Sequence, residues 1–397
     1  MALNIESMEI LLLVAAVVAM VVRRLRLPYT VALVLTGAAL ALGPAHFHVA
    51  LTRQLIFTAF LPPLIFEAAL QIEWPSLRRE FALLAVLVTA GVAASAAVVA
   101  AGLHGLADWP WTSAIVFGVL ISATDPVSVI ATFKDTGVRG RLRLLVEAES
   151  LLNDGTAAVL FAVALAAIAG GAVSAASIGF GFLTTVLGGV LCGGLVAGGL
   201  LLLAGQTDDH LVEITLTVVS AYASFLLAEH FHLSGVLATM TAGILMGNVG
   251  SVASFTDRGR EAVESFWEYV AFAANSLVFL LIGMSLTREN FAAAWLPILI
   301  AIPLILAGRA LAVYGCCAAF TRSINSVSLR HQHVLFWGGL RGALALALVL
   351  SLPDGIPNPS VLKTVTFAVV AFSVIVQGLT ITPLLRRIGD LPVPKST

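Results

Sequence analysis

Apolar residues in this chain gather into long runs that repeat from end to end, with only short polar stretches between them. Runs long enough to cross a bilayer as helices, about 20 residues each, start near Met8, Pro28, Leu51, Phe81, Trp111, Leu144 and Ile178. Others start near Leu211, His232, Val263, Phe291, Val334 and Val361, which makes thirteen. The runs Pro28 to Ala45 and His232 to Asn248 are short and rich in small residues. The pattern predicts an all-α polytopic membrane protein of about 13 transmembrane helices, a single transmembrane domain over residues 1–397. Only helices and closed barrels satisfy the backbone inside a bilayer. The connections are short, with no nucleotide-binding loop or soluble domain, which argues against ATP-driven transport.

Composition sharpens this picture. Of the 397 residues 59% are hydrophobic and 11% charged, less than half of the roughly 25% charged content of soluble domains. A net charge of −1 argues against nucleic acid as a partner. Cys192, Cys316 and Cys317 lie in apolar helices and fit no metal spacing. His331 and His333 invite a pH-sensing reading, but solvation at the interface accounts for them as well.

The basic residues set an orientation. The first run is preceded by Glu6 and Glu9 and followed by Arg23, Arg24 and Arg26, the reverse of a cleaved signal peptide. With the N-terminus outside, sixteen Lys and Arg fall in the cytoplasm, Lys134 and Lys395 among them. Only Arg53, Arg288 and Lys363 fall outside. That asymmetry favours an odd number of helices and a cytoplasmic C-terminus.

Six ionisable residues remain inside the predicted spans: Glu67, Asp125, Glu149, Asp154, Arg309 and Arg341. Each costs about 2.5–3.5 kcal/mol at a helix centre on insertion scales, so they must pair, titrate or face water. In the stretch "VEAESLLNDGTAAVLF" Ser150 and Asp154 share a helix face, Asn153 lies beside them, and Glu149 is turned about 140° from Asp154. A helix entering from the cytoplasm near Leu144 carries Asp154 to roughly 15 Å depth, the middle of the bilayer. Glu147, nearer the cytoplasm, either lines an entry funnel or snorkels to the interface.

Two spans carry breaks. In "ISATDPVSVI" Pro126 removes a backbone donor and disfavours helical geometry at Asp125, freeing carbonyls near Ser122 and Ala123. In "FWGGLRGALALAL" Gly338, Gly339 and Gly342 loosen the helix around Arg341. These are the fifth and twelfth spans, an offset of seven, as two inverted six-helix repeats joined by a seventh helix would give, with the broken helices crossing at the centre. The seventh span, "LGGVLCGGLVAGGL", repeats glycine pairs suited to close helix packing. Pro62 and Pro63 bend the third helix one turn before Glu67.

"LPPLIFEAAL", "SATDPVSVIATF", "EAESLLNDGTAAVLF", "FWEYVAFAANSLVFLLIGM" and "GLRGALALALVLSLP" together resemble the monovalent cation:proton antiporters. The resemblance is strongest to the bacterial NhaP-type sodium/proton antiporters, the branch that includes the animal sodium/proton exchangers, and runs from about Met8 to Arg387. It implies a moving core of six helices, within about 51–170 and 263–387, with the remaining helices forming a dimerisation domain. It also implies a homodimer with elevator-like exchange of access. Asp154 would carry ion and proton, with Ser150, Asp125, the Thr124 carbonyl and, through water, Glu67 completing the Na⁺ site. Asn153 would tie the unwound fifth helix to the sixth, and Glu149 with Arg341 would form a buried ion pair.

The resemblance therefore implies a secondary transporter rather than an enzyme, in the plasma (bacterial inner) membrane. No cofactor is expected beyond the transported Na⁺ or Li⁺ and H⁺. Electrogenic relatives have Asp where this chain has Asn153, so only Asp154 is left to switch and one-for-one electroneutral exchange is expected. Hard oxygen ligands suit Na⁺ or Li⁺; a K⁺/H⁺ antiporter of the same fold is the alternative. A channel filter would draw on several subunits, and a solute symporter would need a roomier pocket.

Overall fold

The computed structural model describes residues 5–25, 27–43, 51–125, 127, 129–130, 133, 137–168, 175–353 and 355–388. Pro126, on which the expected break in the fifth span turns, lies outside the described residues, as do Arg26, Lys134 and Lys395. Among the described residues every regular element is helical. In chain order these are α1 (Ile5–Leu25), α2 (Tyr29–Leu42), α3 (Arg53–Leu70), α4 (Trp74–Ala107), α5 (Trp111–Leu120), α6 (Arg141–Ile168) and α7 (Ala175–Ala204). There follow α8 (His210–His230), α9 (Gly235–Leu245), α10 (Asp257–Leu286), α11 (Phe291–Ala319), α12 (Leu329–Gly338), α13 (Ala343–Val349) and α14 (Pro359–Ile388). Each of these helices overlaps one of the apolar runs of the sequence. Among the described residues eight helices are long and apolar enough to cross a membrane, and α12 with α13 makes a further span bent by 44°. Four apolar helices are shorter: Ser7–Val22, Tyr29–Leu42, Trp111–Leu120 and Gly235–Gly250.

Contacts divide the chain into two compact units. One comprises Met1–Arg53, Glu80–Asn153 and Ser276–Thr397. Its helices approach closely where a side chain is missing: a Cβ on Gly37 of α2 would overlap the Leu280 carbonyl of α10, and one on Gly283 of α10 would overlap Val34. Tyr29 and Ser276 share a hydroxyl–hydroxyl bond of 2.8 Å beside that contact. On α11, Gly308 lets the helix lie against Ser95 of α4.

The other unit comprises Gln54–Arg79 and Asp154–Asn275. Its core gathers Phe66, Met246, Val263 and Trp267, all buried. Trp267 Nε1 donates to Thr217 Oγ1 at 2.9 Å, which satisfies the one polar group of that ring. The glycine pairs of α7 serve packing only in part. Gly189 and Gly193 meet the Ser234 and Ala238 carbonyls at the start of α9, whereas a Cβ on Gly194, Gly198 or Gly199 would meet nothing within 4 Å. The reason is geometric: a five-residue spacing turns each pair about 140° from the last, so all three cannot share a face. Leu183, Leu187, Leu191 and Leu195 of α7 form an exposed apolar row, the kind of surface that marks contact with lipid or another chain.

Candidate functional site

α5 ends at Leu120, and residues 121–125 are turn and irregular chain; α12 stops at Gly338 and α13 begins at Ala343. The two interruptions meet directly, the Asp125 N–H donating to the Leu340 carbonyl at 2.7 Å. Irregular backbone at membrane depth must have its polar groups satisfied by protein, and side chains do this here. The Ser122 carbonyl accepts from Asn153 Nδ2 at 3.0 Å and from Arg341 Nη1 at 2.7 Å. Arg341 Nη1 also reaches the Ala123 carbonyl at 3.2 Å, and the Arg341 N–H donates to Ser373 Oγ at 2.9 Å. Arg341 thus acts as a donor to the freed carbonyls of the α5 break.

α6 supplies the other half of the arrangement. Asn153 Nδ2 donates to Thr124 Oγ1 at 2.8 Å, and Thr124 Oγ1 donates to Ser150 Oγ at 3.3 Å. Ser150, Asn153 and Thr124 are all about 1% exposed. Asp125 sits at the start of α13, where its carboxylate accepts from the Ala343 N–H and, at 2.9 Å through Oδ1, from the Val127 N–H. A carboxylate is favoured at a helix N-terminus, where unpaired N–H groups and the helix dipole both point at it. Gly342 makes this approach possible, since a Cβ there would overlap the Asp125 carboxylate.

The ion pair of Glu149 differs from expectation. Glu149 is held by Arg309 of α11, with Nη1–Oε1 at 2.6 Å and Nη2–Oε2 at 2.9 Å, and not by Arg341. Arg309 Nη2 also donates to the Leu335 carbonyl at 2.8 Å. The guanidinium lies flat against Gly339, where a Cβ would come within 2.5 Å of Nε. The physical reason is the two interruptions: they leave carbonyls around Ser122 that claim the Arg341 donors, and Glu149, turned away from the Asp154 side of α6, finds the arginine on α11. The fork-to-fork geometry is the strong form of such a pair.

Asp154 follows Asn153 in the unbroken helix α6, one turn beyond Ser150, and is half-buried. Glu67 lies in α3 one turn from Gln71, whose side-chain amide donates to it; Asp154 and Glu67 belong to the second unit. Glu147 pairs with Arg143 at 2.6 Å. Two buried acids escaped the sequence reading. Glu80 binds Arg141 through both oxygens, at 2.7 and 2.9 Å, and Arg141 in turn donates to the carbonyls of Asn325 and Ser326. Glu213, fully buried, accepts from the Thr256 N–H at 3.1 Å just ahead of α10. Both sit at span ends, where an acid normally signals only solvation. Arg309 did carry a signal, being an arginine within an apolar run that had no assigned partner.

Comparison with known proteins is consistent with this geometry. The profile of the family described as "Sodium/hydrogen exchanger, transmembrane" matches residues 10–387. The chain is 37% identical to the low-affinity Na(+)/H(+) antiporter NhaS1 of Synechocystis sp., over 98% of this chain and 76% of that protein. It is 34% identical to the Na(+)/H(+) antiporter NhaH of Halobacillus aidingensis, over 96% of each. The solved structure of the sodium proton antiporter MjNhaP1 from Methanocaldococcus jannaschii at pH 8 superposes with a TM-score of 0.76 at 20% identity, covering 97% of this chain and 98% of that one. At that identity the likeness is one of fold.

Proposed function

The chain belongs to the sodium/hydrogen exchanger family, and on that premise we propose that this multi-pass membrane protein is a secondary antiporter exchanging Na⁺ or Li⁺ for H⁺. The observation that carries the reading is the set of buried oxygens drawn to the α5 break: Thr124 and Ser150 linked hydroxyl to hydroxyl, with Asn153 donating to Thr124 and to the Ser122 carbonyl. Asp154 comes one residue after Asn153 on the same helix.

In this reading the cation is held by Asp154 with Asp125, Ser150 and the Thr124 carbonyl, and Glu67 contributes through water. Asn153 fixes the break against α6, while Arg341 and the Glu149–Arg309 pair keep the surrounding helices in register. No chemical step is involved. Asp154 accepts either a proton or a cation, so the two compete for one carboxylate, and alternating access carries whichever is bound.

Charge arithmetic supports one-for-one exchange. Glu149 is neutralised by Arg309, Asp125 is held by backbone N–H groups, and position 153 carries an uncharged amide. In this reading Asp154 is the carboxylate that trades charge. Family membership supports a homodimer, and the distribution of Lys and Arg supports an outer N-terminus and a cytoplasmic C-terminus in the plasma membrane. The test is Na⁺/H⁺ exchange in proteoliposomes clamped at different K⁺ diffusion potentials. Electroneutral exchange predicts one rate at every potential, and a rate that follows the potential without a proton gradient refutes it.

A further inference from the structure

Beside the Glu149–Arg309 pair lies a small cavity, lined by both apolar and polar residues, with room for one water-sized occupant. Two helices open it by locally widening their turns: α4 is π-helical over Leu87–Gly91 and α11 over Leu311–Gly315. The two widened turns face each other, a Cβ on Gly91 falling 3.4 Å from both Ala312 Cβ and Cys316 Sγ. Such bulges recur at functional sites because they turn backbone and side chains out of the regular helical register.

Ser95, Ser122, Asn153, Arg309 and Arg341 form the polar part of the lining. Two of these residues present a buried atom that no protein group satisfies, Arg309 Nε and Asn153 Oδ1. Arg309 is 6% exposed and Asn153 1%. Both orientations are fixed by the rest of the side chain. Arg309 spends Nη1 and Nη2 on Glu149 and Leu335. Asn153 cannot be flipped, because its nitrogen donates to the Ser122 carbonyl, where the amide oxygen would be repelled. An unsatisfied buried polar atom costs about 1–3 kcal/mol, so one orphan donor and one orphan acceptor on two residues that line one cavity call for a shared occupant.

The chemistry of the lining selects it. A cation would satisfy Asn153 Oδ1 but face two guanidinium groups. An anion would suit Arg309 Nε but would confront the amide oxygen. A neutral group that both donates and accepts, and has a single heavy atom, satisfies both.

We propose that this cavity is a binding site for one water molecule, which accepts from Arg309 Nε–H and donates to Asn153 Oδ1. The water couples the buried ion pair to the residue that anchors the α5 break, so that Glu149, Arg309, Asn153 and Ser122 act as one polar network. Ser95, which lines the cavity without belonging to the cation site, offers a way to perturb it.

The experiment is an experimental structure of the full protein at a resolution that shows ordered water, with one arm collected in bromide. The expected result is a single peak at about 2.7–3.2 Å from both Arg309 Nε and Asn153 Oδ1, with no bromide anomalous signal. A bare cavity, a bromide peak, or a protein donor bonded to Asn153 Oδ1 overturns the proposal, whatever ion the protein carries. In Ser95→Val the added methyl groups should displace the water and slow exchange in liposomes by roughly threefold to tenfold, the factor for one hydrogen bond of ordinary strength. A variant that loses the peak yet exchanges at the wild-type rate, or loses rate with the peak in place, removes the coupling.

Discussion

Consider replacing Glu149 by Gln, Arg309 by Met and Arg341 by Met, singly and in the pairs Glu149/Arg309 and Glu149/Arg341. The Glu149 and Arg309 side chains are 2% and 8% exposed and meet through two bonds of 2.6 and 2.9 Å. Removing one member of a buried pair leaves the other charge desolvated, which costs about 3–5 kcal/mol. Removing both takes that penalty away, so Glu149→Gln with Arg309→Met should cost roughly 2–3 kcal/mol less than the sum of the single changes, a coupling typical of residues in contact. Arg341 instead donates to the Ser122 and Ala123 carbonyls, so its coupling to Glu149 should stay under about 1 kcal/mol. Reversible unfolding of the purified protein in mixed detergent–SDS micelles, followed by tryptophan fluorescence, gives each free energy. A coupling to Arg341 equal to or greater than that to Arg309 would refute the assignment of the pair.

Two further outcomes follow from the site. Gly342→Ala places a methyl group on the Asp125 carboxylate; exchange should fall by more than about tenfold in liposomes, because misplacing a site group by an ångström has effects of that order, and a wild-type rate would show that Asp125 is not needed where it stands. Competition at one carboxylate means that lowering the pH raises the Na⁺ concentration giving half-maximal rate, by up to about tenfold per pH unit in the acidic limit, while at high pH proton supply limits turnover. A dye-reported rate profile should therefore be bell-shaped, its acidic limb moving to lower pH as Na⁺ is raised; an acidic limb indifferent to Na⁺ would argue against competition.

Much of this architecture was legible in the chain. The described helices overlap the apolar runs because length and hydropathy alone decide what can span; α5 stops ahead of Asp125, and the twelfth span is interrupted where Gly338 to Gly342 loosen helical geometry. The placement of Ser150 and Asn153 on one side of α6 follows from helical spacing. What the sequence lacked was the choice among partners. Glu149 faced two arginines within apolar runs, and only the arrangement of α11 and the freed carbonyls at Ser122 decides between Arg309 and Arg341. Gly342 was visible as a loosening residue, but its role as the gap that admits the Asp125 carboxylate depends on two helices far apart in sequence. The π-helical turns at Leu87–Gly91 and Leu311–Gly315 had no signature, since they arise from a shift in hydrogen-bond register and not from residue type. Glu80 and Glu213 looked like ordinary span-end acids, yet they are buried and hold neighbouring elements.

The most direct measurement places wild type and Asp154→Asn side by side in proteoliposomes with an internal pH dye, adding Na⁺ to the outside. In the wild type entering Na⁺ should drive H⁺ out and alkalinise the lumen promptly, with no change above empty liposomes in a variant that elutes and melts like the wild type. Exchange by Asp154→Asn at a rate close to wild type would contradict it.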